Sequence, residues 1–177
     1  MSTVAGSSVS EGASVPHAAG GTSLHWGVME RFRNYVGELE DGQERWDVET
    51  DESGRGIFPL VSDSRDSGAR VLRFTGSVRF TGHGGFLNVS ITDPQITIGA
   101  DSMTVTIDSA PPGVRERRLE IARSPRGGGP ATDGRTVFAG LGLTAAGAEL
   151  LGSVYREGEP VDDAVWSPAE EGRSEQT

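Results

Sequence analysis

The side chains that could do chemistry are few: the chain has three histidines, two tyrosines and no cysteine. Without cysteine, the chain cannot form disulfides, zinc ribbons or iron–sulfur clusters, nor use a thiol in catalysis. His17, His25 and His83 lie in separate segments and lack the spacing of metal ligands. The sequence also contains no nucleophile elbow, phosphate-binding loop or dinucleotide fingerprint. We therefore expect a protein that is not an enzyme.

Tyr35 and His83 are the two side chains in settings that would suit a ligand. A tyrosine three residues after Phe32 is more often a core residue with its hydroxyl at the surface. An ionised tyrosine, however, is a hard oxygen donor for ferric iron. Ionising a free tyrosine at pH 7 costs about 4 kcal/mol, and a hydrogen bond to the phenolate lowers that cost. His83 stands among glycines, which leave it free to approach a ligand but also make an ordinary turn.

The element that must position Tyr35 is a short helix near the start of the domain. A strand over 24–28 leads into a helix over 29–36. We expect this helix to stop at Gly37, because glycine readily adopts the left-handed conformation of a helix cap. Tyr35 then lies in the last turn, on the face that also carries Met29 and Phe32.

The element that must position His83 is a β-hairpin. Over 70–81, apolar residues and Gly76 alternate with polar residues, which is the pattern of one half-buried strand. The alternation resumes over 87–92, after the glycine-rich turn at 82–85. His83 is therefore predicted at the tip of the hairpin.

The rest of the chain completes a mainly β (α+β) fold of antiparallel, sandwich-like sheets with two short α-helices. The second helix begins at Thr144, a suitable N-cap, and runs to about residue 155 with an apolar stripe of Leu150, Leu151 and Val154. We expect one domain over 22–167 and disordered tails over 1–21 and 168–177. Further strands are predicted near 46–48, 57–61, 96–98, 103–107, 115–123, 137–141 and 164–166, with a flexible loop over 127–134.

Charge and hydropathy limit the partners. The net charge is -10, and all basic residues are arginines. An acidic surface repels nucleic acid and anionic lipid, so neither is expected as a partner. The acidic stretch over 38–52 indicates a solvated face. No run reaches the roughly 20 apolar residues of a membrane helix, and no export signal is visible. A soluble, cytoplasmic protein is the default expectation, or an extracellular or cell-surface one if the sequence is a shortened form.

Four groups of residues, in order along the chain, are similar to the motifs of one family. They are Leu24-His25-Trp26-Gly27-Val28 with Phe32-Arg33-Asn34-Tyr35; the segment from Phe74-Thr75-Gly76 to Gly82-His83-Gly84-Gly85; Asp93-Pro94 with Ile96 and Ile98; and Leu143-Thr144-Ala145-Ala146-Gly147-Ala148 with Tyr155-Arg156-Glu157-Gly158. Together they resemble the HtaA-type haem-transport domains of actinobacteria. The resemblance covers residues 24–166.

This resemblance implies that the domain binds ferric haem b for uptake, relay or storage. In the family, the tyrosine of the opening helix ligates the iron and the histidine of the central loop supports it, which corresponds here to Tyr35 and His83. The hairpin loop would contribute Gly82, Gly84 and Gly85. The pocket candidates are Trp26, Met29, Arg31, Phe32, Phe80 and Phe86, with Arg31 a candidate partner for a haem propionate.

One departure from the family pattern leaves a second reading open. Family members often carry a small serine one helical turn before the tyrosine, where this chain has Arg31. A bulky cation could fill the haem slot, so the alternative is a β-rich interaction module of the same fold that does not bind haem. As a haem binder, the domain would have a haem donor or acceptor as its partner. An exposed haem face could also be shared in a homodimer.

Overall fold

The structure is a computed structural model that describes residues 22–125, 129–130 and 134–167. Across these residues, thirteen strands form two antiparallel sheets accompanied by two helices. The mainly β, antiparallel fold class with two short helices is thus confirmed. The predicted tails over 1–21 and 168–177 lie outside the described residues, as does most of the predicted loop over 127–134.

The larger sheet has ten strands and curls into a half-barrel. In chain order they are β1 (Ser23–Trp26), β3 (Gly56–Asp66), β4 (Ala69–Phe74), β7 (Gln95–Ile98), β8 (Met103–Asp108), β9 (Arg118–Ser124), β10 (Gly129–Pro130), β11 (Thr136–Phe138), β12 (Gly142–Leu143) and β13 (Ala164–Ser167). Their spatial order is β10-β11-β13-β1-β3-β4-β7-β8-β9-β12. The last strand therefore pairs with the first and brings the two ends of the domain together.

The smaller sheet carries the predicted hairpin. Its strands are β2 (Gln43–Trp46), β5 (Ser77–Gly82) and β6 (Leu87–Thr92), in the order β2-β5-β6. Side chains alternate along β5 and β6, so one face of the sheet is buried and the other meets solvent. Helix α1 (Glu30–Glu38) packs on the buried face, where the rings of Phe32 and Phe80 meet edge to face with centroids 5.0 Å apart.

The prediction of one continuous strand over 70–81 is wrong. The chain leaves the larger sheet at the end of β4 and enters the smaller sheet at the start of β5. Gly76 makes this crossing with φ +122°, a conformation that L side chains rarely adopt. A Cβ at Gly76 would also lie 2.2 Å from Val48 Cγ1. The alternating pattern continues across the break, because both strands send alternate residues into the same core.

The ends of the first helix differ from the prediction. Helix α1 includes Gly37 and ends at Glu38, and Leu39 then continues in an extended conformation with its N–H donating to Val36 O at 3.2 Å. Gly37 has no positive φ and is therefore not the left-handed cap that we predicted. At the N-terminal end of helix α1, the side chain of the N-cap residue Met29 makes no capping hydrogen bond. The Glu30 N–H instead donates to Asp162 Oδ1 at 2.9 Å.

The second helix, α2 (Ala145–Leu150), is shorter than predicted. Its N-cap at Thr144 is confirmed, since the threonine side chain accepts from the Gly147 N–H at 3.0 Å. Gly152, with φ +100°, follows the C-cap residue Leu151 and turns the chain away. Leu151 is buried, but Val154 is 70% exposed and takes no part in the predicted apolar stripe.

Candidate functional site

The Tyr35 hydroxyl lies 2.5 Å from His83 Nε2, although the two residues are 48 positions apart in the chain. Their rings are tilted by 45° with centroids 6.0 Å apart. Tyr35 is 37% exposed, and His83 is exposed as well. The fold therefore brings a phenol and an imidazole into direct contact where both can be reached from solvent.

Helix α1 places Tyr35 at the edge of its buried stripe. Phe32 and Val36 point into the core and fix the rotation of the helix. Tyr35 lies between them in sequence and is turned toward the hairpin tip. The Arg33 Nε donates to Glu44 Oε1 at 3.1 Å, which ties the helix to strand β2. These contacts fix the position of helix α1 and, with it, the position of the Tyr35 side chain.

The hairpin tip places His83 through an unusual backbone. A 3₁₀ turn spans His83–Gly85, and all of its residues have positive φ: +50° for His83, +63° for Gly84 and +96° for Gly85. The left-handed region is unfavourable for a residue with a side chain, so His83 needs support from its surroundings. Glycine at the next two positions removes that cost for the rest of the turn.

Asp41 supplies this support and was not singled out from the sequence. Its Oδ1 accepts from the His83 N–H at 3.0 Å and its Oδ2 from the Gly84 N–H at 2.7 Å. The Gly84 N–H, joined by the His83 N–H and the His83 side chain, lowers the pKa of Asp41 against a smaller opposing effect of burial. In the sequence Asp41 lies in the acidic stretch over 38–52 that we interpreted as solvated. Only the pairing of β2 with β5 brings it opposite the tip.

The apolar residues proposed for the pocket divide into two groups. Trp26, Met29, Phe32 and Phe80 are at most 1% exposed, so they form the core beneath the site rather than a surface open to a ligand. Phe86 is different: it follows the turn, donates its N–H to His83 O at 3.2 Å and is 97% exposed.

The glycines of the predicted loop also differ from one another. Gly82 is buried at the end of β5, where a Cβ would lie 2.7 Å from Leu39 Cδ1. Gly84 and Gly85 are exposed, with open space around the position of a Cβ. Gly82 therefore allows the tip to approach the segment after α1, and the other two serve the turn.

Arg31 lies one turn of helix α1 before Tyr35, and its guanidinium lies over the ring of Tyr155. The Arg31 Nη1 pairs with Glu159 Oε2 at 2.9 Å, and its guanidinium carbon is 5.8 Å from the centre of the Tyr155 ring. Burial raises the pKa of Tyr155, while the charge of Arg31 opposes the shift. Tyr155 was not predicted as a site residue, and its raised pKa makes it a poorer source of phenolate.

A second polar cluster surrounds His25 on the larger sheet. His25 Nδ1 lies 3.1 Å from Asp51 Oδ2, and the Arg55 Nε donates to the same oxygen at 2.9 Å. In the described residues, no group of three or more His, Asp or Glu side chains converges as a metal site. No helix in the same part of the chain is long and apolar enough to cross a membrane.

Several solved structures share this fold. The N-terminal domain of HtaA from Corynebacterium glutamicum is 20% identical, with a TM-score of 0.62 over 84% of this chain and 97% of that one. The C-terminal domain of the same protein is 22% identical, with a TM-score of 0.64 over 82% and 93%. The heme-binding protein HtaB from Corynebacterium glutamicum is 17% identical, with a TM-score of 0.52 over 82% and 92%.

The family can be assigned from the sequence itself. No curated protein matches the chain. The HtaA (Htaa) family model, however, matches residues 21–167, which includes every strand and helix described above. This chain therefore belongs to the HtaA family.

Proposed function

We propose that this domain binds ferric haem at the surface around Tyr35 and His83, as a carrier and not as an enzyme. The Tyr35 phenolate would be the axial ligand of the iron, and His83 would donate a hydrogen bond to it. The observation that carries the proposal is the 2.5 Å contact between the Tyr35 hydroxyl and His83 Nε2.

The donor chemistry fits this ligand. A phenolate oxygen is a hard anionic donor that prefers ferric to ferrous iron and occurs as a haem ligand in proteins. In the complex the Nε2 of His83 would carry the proton and donate to the phenolate, which favours the ionised form. The imidazole therefore suits the role of a partner that orients and stabilises the ligand.

The exposure of the site suits a carrier. Tyr35 and His83 are both open to solvent, and the fully exposed ring of Phe86 offers apolar surface next to the turn. Haem bound at this exposed surface would remain accessible to a donor or acceptor. The family assignment and the similarity to HtaB, a heme-binding protein, support the same ligand.

The position of Arg31 does not favour the alternative function, an interaction module of the same fold that does not bind haem. Its guanidinium pairs with Glu159 and lies against Tyr155. Among the described residues, Arg31 makes no hydrogen bond to the Tyr35 hydroxyl, which instead meets His83. Arg31 therefore does not occupy the Tyr35 hydroxyl that we propose as the iron ligand.

The proposal is tested by titrating the protein with ferric haem and recording the absorption spectrum. The chain has two tyrosines, so Tyr35→Phe and Tyr155→Phe form a matched pair. We expect a saturable high-spin ferric spectrum that Tyr35→Phe abolishes, Tyr155→Phe retains and His83→Ala weakens. If the parent protein shows no saturable spectrum, the haem proposal is wrong. Binding that survives Tyr35→Phe would reject Tyr35 as the ligand.

A further inference from the structure

We propose that Asp41 is a positioning residue for this site: its carboxylate holds the turn over 83–85 so that His83 Nε2 meets the Tyr35 oxygen. The consequence of this positioning for haem affinity rests on the proposed function. The positioning itself concerns only side chains and backbone of this chain.

The first step of the argument is the shape of the turn. Three successive residues with positive φ direct the N–H groups of His83 and Gly84 toward one side, where they form a small concave anion site. The Asp41 carboxylate fills that site with one oxygen on each N–H, at 3.0 and 2.7 Å. A hydrogen bond to an ionised acceptor is stronger than one between neutral groups. The carboxylate therefore offsets the cost of the left-handed conformation at His83.

The second step is that Asp41 and Tyr35 belong to one continuous segment. Gly42 follows Asp41 and packs so closely on the last turn of helix α1 that a Cβ there would lie 1.8 Å from Val36 O. The Gly42 N–H also donates to Leu39 O at 3.1 Å. The segment after α1 is thus pressed against the helix that carries Tyr35. A movement of Asp41 relative to Tyr35 would break these contacts.

The third step is that this segment contacts the hairpin tip at successive points. Strand β2 pairs Gln43 with Thr81, and continuing that register places Asp41 opposite His83. Leu39 Cδ1 packs where Gly82 lacks a side chain. Asp41 then binds the backbone of the turn, and Tyr35 contacts the His83 side chain. Of these contacts, the two hydrogen bonds to Asp41 are the ones that hold the backbone of the turn, through the N–H groups of His83 and Gly84.

The test first uses the protein without haem. A nuclear Overhauser effect between the His83 imidazole protons and the Tyr35 ring protons reports the contact directly. We expect Asp41→Ala to lose this signal. Glu40→Ala, which removes the same charge from the neighbouring exposed residue, should retain it. If the signal persists in Asp41→Ala, the positioning role is overturned. This readout stands whether or not the protein binds haem, so it is separate from the test of the proposed function.

Haem titration then measures the consequence. We expect Asp41→Ala to weaken ferric haem binding about tenfold, the effect typical of removing a group that orients a metal ligand, and Glu40→Ala to have little effect. The double variant Asp41→Ala/His83→Ala should bind no more weakly than His83→Ala, because Asp41 acts through His83. Losses that multiply in the double variant would overturn the proposal.

A second variant covers the case in which Asp41→Ala does not fold. Asp41→Asn keeps the size of the side chain and one oxygen, so it can still accept from one of the two N–H groups. We expect it to fold, to show a weakened His83–Tyr35 signal and to bind haem with intermediate affinity. An Asp41→Asn protein with the signal and affinity of the parent would count against the proposal.

Discussion

Gly76 and Asp93 are joined by two hydrogen bonds, one between their backbones and one to the Asp93 carboxylate, at the point where the chain passes from the larger sheet to the smaller one. The Asp93 N–H donates to Gly76 O at 2.8 Å, and the Gly76 N–H donates to Asp93 Oδ1 at 3.0 Å. Asp93 itself has a positive φ of +46°. Two residues in the left-handed half of conformational space thus hold the β5–β6 hairpin at its base, opposite the tip that carries His83.

Gly76→Ala is expected to destabilise the protein by about 2 kcal/mol or more, because the new Cβ meets Val48 and the backbone is strained. Gly37→Ala is a control for which we expect the free energy of unfolding to change in the opposite direction. Gly37 lies within helix α1 with open space around it, so alanine should raise the free energy of unfolding by about 0.5–1 kcal/mol. Urea unfolding followed by tryptophan fluorescence measures both changes. Equal midpoints for Gly76→Ala and the parent would contradict the account of the crossing.

Asp51 should make stability depend on pH in the acid range. Burial opposes the shift, but hydrogen bonds from His25 and from the Arg55 and Ser53 N–H groups, with the charge of Arg55, lower the pKa of Asp51 below its ordinary value of 3.8. A carboxyl with a lowered pKa in the folded state stabilises it above the unfolded pKa. This contribution is lost as the pH falls below 3.8 through the folded pKa.

Asp51→Asn tests this contribution. The variant should be less stable than the parent at pH 6, and the difference between them should shrink as the pH falls below about 3.8, where the parent carboxyl becomes protonated. Urea midpoints at a series of pH values measure the difference. A difference that stays constant down to pH 2 would show that the charge of Asp51 does not stabilise the fold.

Phe86→Ala should separate binding from folding. Because Phe86 is 97% exposed, its removal should change the free energy of unfolding by less than about 0.5 kcal/mol. If its ring lies against haem, affinity should fall about tenfold, the loss expected for an apolar contact of that size. Val154→Ala removes an exposed apolar side chain elsewhere and is the matched control. Equal haem affinity in Phe86→Ala and Val154→Ala would remove Phe86 from the site.

Glu159→Gln should free Arg31 for a haem propionate. The glutamine keeps an oxygen for the Arg156 N–H, which donates to Glu159 Oε1 at 3.1 Å, but it no longer holds the Arg31 guanidinium by charge. We expect haem affinity at low salt to rise about threefold, the size of one exposed ion pair, and the gain to fade at high salt. If affinity is unchanged at low salt, Arg31 does not meet a propionate.

The sequence predicted the elements of the site better than their arrangement. Alternating residues and a glycine-rich turn predicted a hairpin with His83 at its tip, and the spacing in the first helix placed Tyr35 in the last turns. Such patterns report which side of an element is buried. They do not report which sheet a strand joins, so the break at Gly76 was missed because the alternation continues through it.

The remaining features depend on contacts between distant segments. Asp41 matters only because β2 pairs with β5 in one register, and the sequence alone gives no such register. Phe32 and Phe80 were predicted as candidates for the haem pocket, but both side chains are fully buried in the core. Hydropathy favours burial for such residues, but it does not distinguish a wall that faces a ligand from a core that lies beneath it.

Tyr35, His83 and the Asp41 that supports His83 come from two stretches of chain, 30–46 and 77–92. These stretches contain α1, β2, β5, the turn over 83–85 and β6. The larger sheet contributes neither Tyr35 nor His83. It packs against these two stretches through the shared hydrophobic core. Over evolution, the ten-stranded sheet can therefore exchange residues and loop lengths while the site persists. An insertion or deletion of a single residue between 39 and 42, or between 82 and 85, would instead shift the tyrosine and histidine out of register. The divergence of such domains should be lowest in these two short loops.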